Sequence, residues 1–139
     1  MGGLPLRGAM MAALAMASAG MAQPVGAPTL RAMQSVAPGQ WALRSTGSPE
    51  AARESCVADT AVLFRLRLRS SQCSRFVIEN TPRIATVHYT CPGSGHVRTT
   101  IHVDTPRVLR IESEGIVDGM PFADAYEARR VGACGGRGR

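Results

Sequence analysis

The sequence predicts a mainly β protein: a curved antiparallel meander sheet of about six strands, with one short helix and two disulfides. Three observations carry this. Between Arg83 and Cys134 the chain runs as apolar-alternating stretches separated by turn formers. Its connections are short, which favours antiparallel pairing over the long crossovers that parallel strands need. Four cysteines, an even number, fall in one small domain. No strand–helix–strand alternation occurs, which excludes a nucleotide-binding α/β sheet.

The elements follow in order. Pro38-Gly39 marks a turn, and residues 40–45 alternate, with Trp41 and Leu43 on one face, as a first strand. Residues 50–56 read as a short helix or an irregular segment. Asp59 is placed to cap a short helix over residues 59–66, with Val62, Leu63 and Leu66 on one stripe. The strict alternation of residues 64–69 competes with it as a strand. Residues 75–79 form the second strand, with Phe76 and Ile78 on one face. Asn80-Thr81-Pro82 then turns the chain.

Residues 83–91 are the strongest strand, with Ala85, Val87, Tyr89 and Cys91 on one face. Pro92-Gly93-Ser94-Gly95 closes a hairpin onto residues 97–103, β-branched at almost every position. After Asp104-Thr105-Pro106 comes the strand 108–114, with Leu109 and Ile111 together. Asp118-Gly119 is a further turn pair, and residues 122–131 close the series.

The N-terminus reads as a secretory signal. Arg7 is a short positive region, and residues 8–19 are uncharged, rich in Ala, Met and Leu, and too short to span a bilayer. Gly20-Met21-Ala22 places cleavage before Gln23, with Ala17-Ser18-Ala19 as the alternative site. No cysteine lies nearby to carry a lipid. The chain then divides into a signal peptide (1–22), a Pro-rich linker (23–37), a β domain (38–134) and a Gly/Arg tail (135–139), expected to be disordered. Within the linker, Leu30-Arg31-Ala32-Met33 can form one turn of helix. Loss of Arg7 lowers the net charge from +6 to +5. All sixteen basic residues are arginine, a pattern that GC-rich coding explains without a functional demand.

Export makes disulfides the expected state of Cys56, Cys73, Cys91 and Cys134. Of three possible pairings, the one expected is Cys56 with Cys73, bracketing the helix, and Cys91 with Cys134, at strand ends. With 4% aromatic residues the core is thin, and cross-links offset that. No Cys-x-x-Cys pair or helical His pair argues for a metal, so no metal or cofactor is expected. His88, His96 and His102 flank one hairpin, where two of them can converge.

Several stretches together are familiar: Pro38-Gly39-x-Trp41, Cys56-Val57-Ala58-Asp59, Cys73, Tyr89-Thr90-Cys91-Pro92-Gly93, Thr105-Pro106-Arg107, Gly119-x-Pro121-Phe122, and Ala128-Arg129-Arg130-Val131-Gly132-x-Cys134. Over residues 38–134 the chain resembles an exported proteobacterial family known as domain-of-unknown-function family 3617. Members often carry an acidic residue after the Trp, where this chain has Ala42. The resemblance implies an extracytoplasmic β-rich domain and brings no activity with it.

The residues themselves point away from catalysis. There is no Gly-x-Ser-x-Gly elbow. Glu112, Glu114, Asp118, Asp124 and Glu127 read as partners of Arg107, Arg110, Arg129 and Arg130 across neighbouring strands. The expected role is a non-catalytic binding or structural module of the cell envelope, periplasmic or secreted. The alternative is a binder of an apolar or anionic envelope ligand, a lipid or lipopolysaccharide, through the sheet face or a basic patch of Arg65, Arg67, Arg69 and Arg75. A hydrolase is the least favoured reading. Nucleic acid is not an expected partner despite a pI near 10.1, because export and the lack of aromatics interleaved with the arginines argue against it. An envelope lipid or protein remains.

Overall fold

A computed structural model describes residues 2–3, 29–69 and 72–135. Apart from residues 2–3, the expected signal peptide and its cleavage site lie outside the described residues, as do residues 23–28 of the linker and residues 136–139.

Seven strands form one antiparallel sheet: β1 (Gly39–Ser45), β2 (Arg53–Val57), β3 (Ser74–Asn80), β4 (Ile84–Cys91), β5 (Gly95–Thr105), β6 (Val108–Val117) and β7 (Met120–Gly132). Their order is β2-β1-β7-β6-β5-β4-β3. Strands β3 to β7 are a meander, and the β1–β2 hairpin docks on β7. At the β6–β7 turn, Asp118 and Gly119 both have positive φ, 51° and 76°, the backbone of the tight hairpin turn that their sequence announces. Gly95 answers a different demand. Its φ is 127°, and a Cβ there would collide with the carbonyl of Ile116 on β6.

Directly opposed residues in an antiparallel ladder share a face. One face carries Val87, Val97, Thr99, Ile101, Leu109, Ile111 and Trp41, all buried. Two 3-10 turns cover it, Arg31–Ser35 and Thr60–Phe64. The first buries Ala32, with Val36 just beyond, so core packing begins ahead of Pro38. Asn80 clamps the start of that turn: its side-chain oxygen accepts from the Arg31 N–H at 2.8 Å, and its amide donates to the Thr29 carbonyl at 3.0 Å. The other face, with Glu112, Glu114, Arg98 and His96, is open to solvent.

Three expectations are corrected. Residues 53–57 are an edge strand rather than a short helix or irregular segment. Four of its five residues are exposed and only Val57 is buried, so there is no alternation for a sequence pattern to show. The helix expected over 59–66 is a single 3-10 turn, Thr60–Phe64. Asp59 caps it as expected, accepting from the Ala61 N–H at 2.9 Å. The segment 58–73 has to travel from one edge of the sheet to the other, six strand spacings or roughly 29 Å on a flat sheet. The turn does not run on as an α-helix because the Phe64 carbonyl is taken by the Thr99 hydroxyl, and the Arg65 N–H bonds back three residues to the Val62 carbonyl. A second turn follows, closed by the Leu68 N–H on the Arg65 carbonyl at 2.9 Å.

The third correction is the disulfide pairing. The bonds are Cys56–Cys134 and Cys73–Cys91, not the pairs that bracket the turn and span the meander. Ser74 lies opposite Thr90 in the β3–β4 ladder, so Cys73 falls beside Cys91. Gln40 on β1 pairs with Cys56 on one side and Gly132 on the other, which lets Cys134 reach Cys56 across the end of β1. Such bonds belong to an oxidising compartment rather than the cytosol. Among the described residues, no helix is long and apolar enough to cross a membrane.

Candidate functional site

The crossing segment is pinned to the centre of the sheet. Leu63 and Phe64 are buried in the core. The Thr99 hydroxyl on β5 donates to the Phe64 carbonyl at 3.0 Å, and the Ser113 hydroxyl on β6 completes the pair at 2.8 Å from Thr99. This small polar network is satisfied inside an apolar layer, where an unmade hydrogen bond is costly. Beyond Phe64, Leu66 and Arg67 reach over the β1–β2–β7 end of the sheet without filling it, while Leu68 still packs against the core.

A cleft of about 440 Å³ remains there. Leu43 and Ser45 of β1, Arg53 and Ser55 of β2, and Tyr126 of β7 form its sheet side. Leu66 and Arg67 of the crossing segment, with Glu50 and Ala51 ahead of β2, close it. Arg67 is held as a bracket. Its Nε and Nη2 donate to Asp124 at 2.6 and 3.0 Å, and its guanidinium lies 4.9 Å from the centre of the Phe122 ring. The Tyr126 hydroxyl donates to the same carboxylate at 3.2 Å.

The charges follow from this geometry. Hydrogen bonds from Arg67 hold the Asp124 carboxyl below its ordinary range, against the upward pull of burial. Burial first, and then the adjacent Asp124, push the Tyr126 hydroxyl up, so it stays neutral. Asp124 raises Arg67 further, so the guanidinium keeps its charge. Arg67 is paired with Asp124, and the lining carries one further residue of each sign, Arg53 and Glu50. The cleft is an amphipathic slot whose lining mixes both signs of charge with the apolar surface of Leu43, Leu66 and the Tyr126 ring.

The four arginines singled out in the sequence divide among three clefts. Arg67 lines the one just described. Arg65 and Arg69 line a second, about 300 Å³, with Asp59, Leu68 and Tyr89. There the Arg65 guanidinium lies 5.3 Å from the Tyr89 ring centre, and its Nη2 contacts the Cys73 sulfur at 3.8 Å. Arg75 lines a third with Leu30, Met33 and Phe64.

Of the acidic residues, Asp124 faces the covered side with Arg67, and Glu127 pairs with Arg129 at 2.8 Å. Arg110 pairs with Asp104 at 2.9 Å, drawing that carboxyl below its usual range. Arg130 donates to the Pro38 carbonyl. Glu112 and Glu114 stand on the open face. Among the described residues, no group of three or more His, Cys, Asp or Glu side chains gathers as a metal site.

Sequence reasoning singled out Arg67 but missed its setting. The Arg67–Asp124 pair spans 57 positions, and nothing local announces it. What the sequence did contain was Asp124-x-Tyr126, two polar side chains on one face of a strand. Comparison of the chain with family models, with curated proteins and with solved structures finds no match in any of the three.

Proposed function

We propose that this chain is an exported, non-catalytic binding module of the cell envelope, periplasmic or secreted, and a member of domain-of-unknown-function family 3617. Its ligand is apolar with a small polar head and sits in the cleft beneath Arg67. The observation that carries this reading is the cleft itself. Its 440 Å³ lies within the range of small-ligand sites, which are mostly apolar with a few placed polar groups. Arg67 already engaged by Asp124 favours an apolar body over a free anion. The order of the four cysteines with Trp41 and Tyr89 supports the family, and the two disulfides support the address.

The test is titration of the full, oxidised chain with a dansyl-labelled undecanoic acid. The expected result is saturable fluorescence enhancement, weakened at least tenfold by Leu66→Asp. Leu66 is 38% exposed, so the substitution charges the cleft wall without entering the core. Equal affinity in the two proteins rejects the cleft as the site.

A second reading, an anionic envelope ligand, rests on Arg65 and Arg69 sharing one cleft beside Tyr89. Retention on phosphatidylglycerol vesicles at low salt, lost in Arg65→Ala/Arg69→Ala, is its expected sign. Retention unchanged by the double substitution removes it.

A further inference from the structure

The open face of the sheet carries a feature that the cleft does not use. In the β4–β5 ladder, His88 lies opposite Arg98 and Thr90 opposite His96. His88 and His96 are therefore diagonal neighbours on the same face. Their rings lie nearly parallel, 17° apart in plane, with centres separated by 5.5 Å. His88 is half-buried and His96 exposed. Among the described residues, neither ring makes a hydrogen bond, so either nitrogen of each ring is free to be the unprotonated, ligating one. His102 is on the same face farther along β5, opposite Ile84.

We propose that His88 and His96 form an open, two-imidazole site for a divalent first-row transition ion, with copper(II) held most tightly. Neutral imidazole is the commonest protein ligand for such ions. Two imidazole nitrogens on one ion, each about 2.0–2.1 Å from it in the manner of zinc, stand roughly 3.3 Å apart. Rotation about χ2, a broad and soft torsion in His, turns one nitrogen of each ring into the 5.5 Å gap.

The backbone does the rest. Both residues sit inside paired strands, β4 with β3 and β5 on either side, and β5 with β4 and β6, so binding needs no folding of a loop. Around the pair, β3 contributes Phe76 opposite His88, and β6 contributes Ile116 opposite His96. Arg98 opposes a bound cation, and Glu114 directly across from it on β6 offsets that charge. The remaining coordination positions face solvent and take water or a second molecule's donor atom. This makes the site one of capture and exchange rather than a closed structural centre.

The test uses the full, oxidised chain without an affinity tag, titrated with copper(II) and with zinc(II) by calorimetry. Imidazole NMR signals are followed in parallel. The expected result is one equivalent of copper(II), bound more tightly than zinc(II) in keeping with the Irving–Williams order, with the His88 and His96 signals perturbed together. His88→Thr and His96→Thr each weaken binding at least tenfold, while His102→Thr leaves it unchanged. Thr suits an exposed strand position, and a dispersed amide spectrum shows that each variant is folded. Absence of binding, or the parent's affinity retained in either His88→Thr or His96→Thr, overturns the proposal. So does an equal loss in His102→Thr.

Discussion

Asp124 shows how much one side chain can organise. It accepts two hydrogen bonds from Arg67 and one from Tyr126, and its side chain is only 17% exposed while that of Arg67 is 48% exposed. A carboxyl held low in the folded state stabilises that state fully above the unfolded carboxylate range, near pH 3.9 for Asp. That contribution is lost as pH falls through the depressed folded value. Asp124→Asn should therefore cost about 1 kcal/mol or less at pH 7, given the exposure of its partner. Its stability should also fall less steeply than the parent's on acidification. Urea unfolding at a series of pH values reads both, and parallel acid profiles would remove the assigned role. At this scale the sequence was only partly legible. Asp59 as a cap could be read because a capping residue acts on the next few residues. The partner of Arg67 could not, because the crossing segment that brings it to β7 is defined by sheet topology.

Elements divide along the same line. Strands β4 to β7 were legible because their apolar residues alternate against one buried face, and Asp118-Gly119 sits where the hairpin needs two positive φ values. Strand β2 was not, since an exposed edge strand buries too little to leave a pattern. The crossing segment resembled a helix because Asp59 and the Val62, Leu63, Leu66 stripe are genuine helix signals, overruled where the sheet takes the Phe64 carbonyl through Thr99. Its attachment depends on Thr99. Thr99→Val keeps the shape but leaves the Phe64 carbonyl and the Ser113 hydroxyl short of a partner, a loss of about 1–3 kcal/mol. Hydrogen exchange should report faster opening around Phe64 than in β4 or β6. Uniform loss of protection would mean that the segment has no separate hold on the sheet.

For the whole molecule, the covalent framework was half legible: four bonded cysteines, but the wrong partners. The hairpin register contained the answer for one bond, since pairing of Ser74 with Thr90 sets Cys73 beside Cys91. The other required knowing that β1 returns to lie beside β7, a contact between distant parts of the chain. The bonds close loops of 78 and 18 positions, worth about 4.5 and about 3 kcal/mol in the chain-entropy picture. Cys56→Ala/Cys134→Ala should accordingly lower the urea midpoint more than Cys73→Ala/Cys91→Ala. The reverse order would show that local packing around Cys91, which is buried, outweighs loop length.

The placement of Cys56 and Cys73 at the two ends of the crossing segment has a further consequence when the chain meets a protease. A cut between them leaves one fragment ending after Cys56 and another beginning ahead of Cys73. The first remains bonded through Cys56 to Cys134 in the second. A nicked molecule therefore stays one covalent body, with β1 still seated against β7, and comes apart only when the nick meets a reductant. The chain between the two cysteines can be cut without release of either half.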